Sequence, residues 1–486
     1  MNIKALWWVA CGLLPFVHLS AENLHFFRND GKYNVYSQEF IDTIRMDNGK
    51  DELKIEFANT SSTDMELTAV DSIVFLNDTC LLPQLFITTD GSSEIGRDEY
   101  VSCQIVVEGH HIFPDAQLTG KIRGRGNSTW LWYDKKPYKL KLYEKSKLLG
   151  LKKGKVWTLL ANYRDPTYMM NAFAYEMGDY LDIPFSPHTR FCEVTLNDEY
   201  IGLYALTEQI KQGNNRVEIN DSTGILLALD VDDGPDESPD ATDNFWATMT
   251  EISTSSGWGM GGRSGMGGTQ TTTHKIPVCV KYPEEELLTD SRMQEIQEEF
   301  ARLTTVIQEH DYTTFKQIMD VQSYIDFIIV QEMTYNVELE APRSMYLHRY
   351  NDVDTLWHMG PVWDFDGGFA FDWTDMMTNR KYFKNNISLI GADPTQNPNG
   401  CCIFFTKMFE EPDFKADFKA RWNDVKEQLL PKLFMKMENY RLQINCAVMN
   451  DEEKWGHTTD FDTQFENLKQ WLTTRFEMMD ENFNAW

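Results

Sequence analysis

The chain has 486 residues, 42% hydrophobic and 13% aromatic, enough apolar material for a large core, which excludes global disorder. Its formal net charge of −30 excludes a general nucleic-acid binder, because a phosphate backbone demands a positive footprint. The same charge would repel an anionic membrane and suits a soluble protein, or one that meets divalent cations.

The first residues, MNIKALWWVACGLLPFVHLSA, carry Lys4, then an apolar run from Ala5 to Leu19, then small Ser20 and Ala21. That is the pattern of a secretory signal peptide over 1–21. The run falls short of the roughly 18 apolar residues a membrane span needs, and no other segment reaches that length. The expected location is secreted, periplasmic or cell-surface. Beyond Cys11 there are Cys80, Cys103, Cys192, Cys279, Cys401, Cys402 and Cys446. Their odd number leaves at least one free thiol or an intermolecular bond, their low density and the adjacency of Cys401 and Cys402 predict a few loop staples at most, and the lack of CxxC spacing argues against a zinc cluster.

Residues 22–84 predict a small β-rich module, in which "KYNVYS" and "DSIVFLN" are strand-like runs between Asn, Asp and Gly. "LLPQLFITTDG" and "EYVSCQIVVEG" continue the β pattern to about Gly109, with no evident chemistry. The remaining 85–486 read as the main domain. "KPYKLKLYE" predicts a strand with Tyr138, Leu140 and Leu142 on one face and Lys139, Lys141 and Tyr143 on the other. "RDPTYMMNAFAYEMGDYLDIP" predicts a helix capped by Asp165 with Pro166 as its first residue. "FCEVTLNDEYIGLYALTEQI" predicts a hairpin turning at Asn197-Asp198. "DVDDGPDESPD", 230–240, reads as a solvated acidic loop and not as a calcium loop. The Gly/Ser/Thr stretch 253–273 reads as a flexible insertion without a phosphate-loop pattern. An amphipathic helix over Asp290 to Glu309 and a buried helix in "VQSYIDFIIVQEMTYNVE" follow. "SMYLHRY" and "TLWHMGPVWDF" read as strands, and helices close the chain. Strands early and helices late predict an α+β fold, not a run of βαβ units.

Three clusters carry candidate chemistry. In "KIRGRGNSTW", Arg123, Arg125, Asn127 and Ser128 sit on a Gly-rich turn that suits either an anion held by fork-shaped donors or a structural turn with exposed arginines. Lys139 and Lys141, with Glu208 of "LYALTEQI", suit either a glutamate-steadied phosphate lysine or a wet sheet face. The third cluster holds Glu332, Asn336, Glu338, Glu340 and Ser344, followed by "GPVWDFDGGFAF". On a strand, Asp364 and Asp366 would share one face, as a divalent cation with oxygen ligands requires. Gly367 and Gly368 would let a ligand approach the backbone.

Together, "RGRGNSTW" with "KKPYKLKL", "YIGLYALTEQI", "QEMTYNVE", "SMYLHRY" and "GPVWDFDGGFAF" resemble the CotH family of atypical secreted protein kinases, in the family's order across about residues 85 to 480. The resemblance implies an atypical protein-kinase-like α+β fold, ATP with Mg or Mn as cofactors, and phosphate transfer to Ser or Thr of an exported protein. It implies Asp364 as the metal-binding aspartate with Asp366 as helper, and Ser344 as a metal-coordinating polar residue. Lys141 or Lys139 is implied as the phosphate lysine, with Glu208 its ion-pair partner, and Arg123, Arg125, Asn127 and Ser128 as the nucleotide-facing loop. Two departures stand out. "NVE" ends in Glu338 where relatives read Asn-x-Asp, and Ala228 stands where an acidic residue is usual. Glu338 is then a longer catalytic base, or the activity is slow or lost. The alternatives are a catalytically inactive surface or coat protein of this fold, and another ATP-dependent transferase.

Overall fold

The computed structural model describes residues 23–28, 33–37, 41–47, 51–57, 62–76, 82–92, 94–110, 112–239, 241–254, 269–375, 380–384, 386–390, 402–458 and 460–486. The expected leader at 1–21 lies outside them, as do Cys11, Cys80, Cys401 and the centre of the Gly-rich stretch, 255–268. Among the described residues no helix is long and apolar enough to cross a membrane.

The fold is mixed α+β, with a β-rich N-terminal region. Strands β1 (Asn23–Arg28), β2 (Tyr33–Ser37), β3 (Ile41–Asp47), β4 (Glu52–Phe57), β5 (Ser62–Glu66) and β6 (Val70–Leu76) form two three-stranded antiparallel sheets, ordered β2-β1-β6 and β3-β4-β5. Leu24, Phe26, Leu53, Ile55 and Ile73 close a small core that also takes in Met435 from the C-terminal half.

Next come β7 (Gln84–Thr89), β8 (Val101–Glu108), β9 (Ala116–Gly124), α1 (Ser128–Trp132), β10 (Tyr138–Leu148), β11 (Leu151–Leu160), α2 (Met170–Tyr180), β12 (Thr189–Leu196) and β13 (Glu199–Glu208). The strands close into a barrel, β10-β11-β13-β12-β7-β8-β9, sealed by the parallel pair β12–β7. Alternation fills it: Leu85, Ile87, Ile105, Ile122, Leu140, Trp157, Leu159 and Leu206 point inward. As the pattern predicted, Tyr138, Leu140 and Leu142 are buried while Lys141 and Tyr143 are exposed. The β12–β13 hairpin turns at Asn197 and Asp198 with φ of 49° and 65°, the left-handed pair that suits the twist of a two-residue hairpin.

The second half holds β14 (Ile225–Leu229), β15 (Asn244–Thr254), β16 (Thr269–Tyr282), α3 (Asp290–Gln308), α4 (Tyr312–Ile318), α5 (Val321–Met333), β17 (Met345–Arg349), β18 (Trp357–Met359), α6 (Ile403–Thr406), α7 (Pro412–Trp455) and α8 (Phe461–Asn484). Its sheet runs β15-β16-β14-β17-β18. Helix α5 is buried on every face, as its unbroken apolar run predicted.

Several boundaries differ from expectation. Helix α2 starts at Met170, because Asp165 caps a wider turn: its Oδ1 accepts from the Thr167 N–H at 2.8 Å and its Oδ2 from the Met170 N–H at 2.7 Å. The strand read through "TLWHMGPVWDF" stops at Met359. Gly360 is left-handed (φ 109°) and Pro361 has no N–H to extend a ladder. Asp364 and Asp366 therefore sit on an irregular turn and not on a strand. The ends of the Gly/Ser/Thr stretch are strand, since β15 and β16 pair out to Thr254 and Thr269. Among the cysteines, Cys446 of α7 is disulfide-bonded.

Two buried ion pairs tie the layers. Lys135 Nζ lies 2.6 Å from Asp451 Oδ1 with both side chains out of solvent. The same pair reaches the Leu203 carbonyl and N–H, joining barrel to α7. Arg475 of α8 meets Glu332 at 3.0 Å, and Glu332 also accepts from the Leu389 and Ile390 N–H groups. Glu332 is thus a structural acid. Removing one member of a buried pair strands the other charge, so Asp451→Ala should lose about 3–5 kcal/mol in chemical denaturation. A Lys135→Met/Asp451→Leu double variant should recover most of it. A double variant as unstable as the single would show that the pair itself, and not the stranded lysine, sets the cost.

Candidate functional site

The barrel and the second-half sheet meet over a cavity of about 430 Å³. One wall is the β9–α1 turn. Gly126 is left-handed (φ 80°), and a Cβ on Gly124 would lie 2.3 Å from the Trp130 ring, so both glycines are needed for this turn's shape. Arg97 Nη1 donates to Asn127 Oδ1 at 3.1 Å, and Arg123 Nη1 donates to the Arg97 carbonyl at 3.1 Å. The Arg125 guanidinium lies over Trp363, 5.6 Å from the ring centre. Arg123, Arg125, Asn127, Ser128 and Lys139 all line the cavity.

Lys139 is half-buried, and its ammonium is pushed down to about 8 by burial and by Arg123 and Arg125. Among the described residues Arg123, Arg125 and Lys139 form no ion pair with a carboxylate. Such a cluster calls for a polyanion. Lys141, on the same strand face but exposed, does not line the cavity. Glu208 is elsewhere too: it accepts from the His188 N–H at 2.7 Å and approaches His188 Nδ1 at 3.3 Å, beside Arg216 and not beside either lysine.

The facing wall carries Glu338, Ser344, Asp364 and Asp366. Asp364 is left-handed (φ 61°), as are Tyr335 (42°) and Ser344 (54°). Backbone strain of this kind gathers where function fixes geometry. The intervening Phe365 N–H donates to Asn171 Oδ1 at 2.8 Å, so α2 sets the turn. Asp366 pairs with buried Arg164 at 2.8 Å, and Arg164 is stacked on Phe371.

Asp364 and Asp366 also touch one another through their side chains. Two carboxylates in contact share a proton or a cation. Burial and the neighbouring Asp366 push Asp364 up to about 8, whereas Arg164 overcomes burial and holds Asp366 below the usual range. Burial, then Asp364 and Asp366, raises Glu338 well above an ordinary glutamate, and its Oε2 is buried without a hydrogen-bond partner. These hard oxygens fit Mg or Mn. Among the described residues no group of three or more His, Cys, Asp or Glu is gathered closely enough to hold a metal. A cation here would therefore complete its shell with ligand oxygens, as Mg²⁺ commonly does with phosphates.

A model of the family described as CotH kinase protein matches residues 122–479. The chain belongs to the CotH family. No curated protein matches it.

For a CotH chain, the cavity also shows residues that sequence patterns did not single out. Arg164 and Asn171 stand beside the helix-start signal Asp165-Pro166, where a capping role was the simpler reading. Asp230, Asp232 and Asp233 belong to the acidic loop taken as solvated, yet all three line the cavity, and Asp230 is buried with its Oδ2 on the Ser344 N–H at 3.2 Å. Ala228 is sealed in the core, and Asp230, two residues on, follows it on the same side of the chain. Arg97 and Asp98 come from a stretch with no evident chemistry.

Two predictions follow from these contacts. Asp364 titrates near 4 when unfolded and near 8 when folded. Between those values the native state binds the extra proton, so its contribution to stability is lost as pH rises. Thermal melts in chelator from about pH 5 to about pH 8 should fall more steeply for wild type than for Asp364→Asn; parallel curves would place the proton elsewhere. Asn171→Leu leaves the Phe365 N–H buried without an acceptor and should cost about 1–3 kcal/mol in the same melts.

Proposed function

We propose that this protein is an exported kinase that transfers the γ-phosphate of ATP to Ser or Thr of an extracytoplasmic protein. One observation carries the reading: uncompensated cations (Arg123, Arg125, Lys139) and clustered carboxylates (Glu338, Asp364, Asp366) face one another across a single cavity. Family membership supports ATP as the nucleotide. The closed barrel over a helical and sheet body, with the cavity between them, supports a kinase-like division into two lobes. The apolar leader and the disulfide at Cys446 support export.

In this reading Arg123, Arg125 and Lys139 grip the triphosphate, and Asn127 and Ser128 shape the turn against it. Lys139, with Arg125 beside it, is the phosphate lysine, in preference to Lys141. Asp364 and Asp366, with Ser344 nearby, would hold Mg²⁺ or Mn²⁺, which neutralises phosphate charge and replaces the proton the two aspartates share. Glu338 accepts the proton of the acceptor hydroxyl, its buried Oε2 having no other partner. Arg164 keeps Asp366 ionised and in place. Glu208 steadies the barrel edge through His188 and acts on the site only indirectly.

Nucleotide at 100 times its dissociation constant should stabilise the protein by roughly 2.7 kcal/mol. ATP with Mn²⁺ should therefore raise the melting temperature, and Lys139→Ala should weaken that binding about 10- to 100-fold. Labelled phosphate should pass from ATP to an acceptor with wild type and not with Asp364→Ala. No thermal response at millimolar ATP would remove the nucleotide. A response with no transfer from wild type would leave a nucleotide-binding protein of this fold and remove the kinase.

A further inference from the structure

A second cavity, of about 170 Å³, lies on the seam between the N-terminal sheets and the helices, away from the residues of the first. Tyr36, Phe57, Ser62 and Thr63 come from the sheets; Glu176 and Tyr180 from α2; Lys432, Met435, Lys436 and Asn439 from α7. The α7 residues recur every three or four positions and so share one helix face. The frame is built. Tyr440 Oη donates to Glu176 Oε1 at 2.6 Å, and Lys436 pairs with Glu176 at 3.2 Å and donates to Asn34 Oδ1.

Asn439 is the exception within this frame. It is 3% exposed, and neither its Nδ2 nor its Oδ1 has a hydrogen-bond partner. A buried amide with both ends unpaired costs stability, and asparagine is a poor residue for a helix interior. The fold gains nothing from it. The cationic and acidic groups around it are already engaged: Lys436 with Glu176, Lys432 over the Tyr180 ring at 4.9 Å, and Arg28 and Asp179 with partners of their own. Asn439 keeps an unpaired donor and acceptor side by side in a cavity that the Ser62 and Thr63 hydroxyls and the Tyr36 and Phe57 rings, 5.1 Å apart, also line.

We propose that this seam cavity binds a small neutral polyol of monosaccharide size, read by Asn439. Adjacent hydroxyls match an amide that donates and accepts, and the C–H face of a sugar ring matches an aromatic wall. The volume suits one ring, equal to roughly five or six waters at about 30 Å³ each. A charged ligand would have to break the Lys436–Glu176 pair to be satisfied. Helix α2 both lines this cavity and carries Asn171, the acceptor for the Phe365 N–H.

The test uses the full chain with glucose and N-acetylglucosamine as probes, and glycine and glutamine as zwitterionic controls, read by saturation-transfer NMR and thermal shift. Wild type should show transfer from a sugar and a rise of about 1 °C or more at saturating sugar. Asn439→Leu and Thr63→Trp, the second filling the cavity from an edge strand, should lose both signals. Each variant should keep a cooperative melt, and the one that does decides the matter if the other fails to fold. Silence from both sugars in wild type, equal signals in the variants, or transfer from the amino acids alone would overturn the proposal. So would a wild type silent to sugar with a more stable Asn439→Leu, which marks buried water only. None of these readouts depends on ATP, so the kinase reading stands or falls separately.

Discussion

The constraint on which this structure depends is electrostatic. Asp364 and Asp366 are held in contact, half out of water, Asp366 helping to raise the proton affinity of Asp364, and the two together helping to raise that of buried Glu338. Left alone, such a group would spread apart or open to solvent. Three features prevent this. The Phe365 N–H is anchored to Asn171, Asp366 is clamped by Arg164, and Arg164 is itself wedged against Phe371, 4.6 Å from the ring centre. The opposite wall shows the same tension with the sign reversed, in Arg123, Arg125 and Lys139. Each wall is costly by itself, and a polyphosphate with a divalent cation, as proposed above, would offset both costs together.

Holding two strained walls a fixed distance apart requires rigid connections between the layers that carry them. The barrel supplies the cationic wall through β9 and β10, and the turns around β14, β17 and β18 supply the acidic one. Lys135 and Asp451 join the barrel to α7 just past the β9–α1 turn, while Arg475 and Glu332 join α8 to the end of α5, from which the Glu338 segment departs. A buried ion pair adds little net stability over a well-packed apolar pair, but in some proteins it fixes register. Their placement, one behind each wall, fits that role.

How much of this was legible in the sequence follows from the range of the forces. Alternation in "KPYKLKLYE" gave the strand and its buried face, because a period of two is imposed locally by the pleat. Asn197-Asp198 gave the hairpin for an equally local reason. The pairing of Glu208 was not legible, since it depends on which side of a closed barrel His188 occupies. Nor was the turn at Asp364. A strand reading placed the two aspartates on one face, whereas in the structure their contact arises from a left-handed residue beyond Pro361. The two readings bring the same groups together by different geometry. The acidic loop is solvated at Asp232, Asp233, Asp236 and Glu237, as its composition suggests, and only the long-range packing of β14 against β17 carries Asp230 inward.

Glu338, where the family resemblance implies an aspartate, can be weighed on the same footing. A glutamate reaches one methylene further, and an error near 1 Å at a reacting group is costly. Here the neighbouring backbone has made room. A Cβ on Gly367 would sit 3.0 Å from Glu338 Oε1 and 3.0 Å from the Trp373 ring, so any other residue at 367 would press on the carboxylate. Gly367 thus leaves room for the Glu338 carboxylate, and Gly368 packs closely on the Thr334 carbonyl, from which a Cβ would lie 3.1 Å away. The extra methylene is accommodated within the wall, with the carboxylate still among Asp364, Asp366 and Ser344. Gly367 and Glu338 thus fit one another, and the longer acid remains beside Asp364 and Asp366 on the same wall.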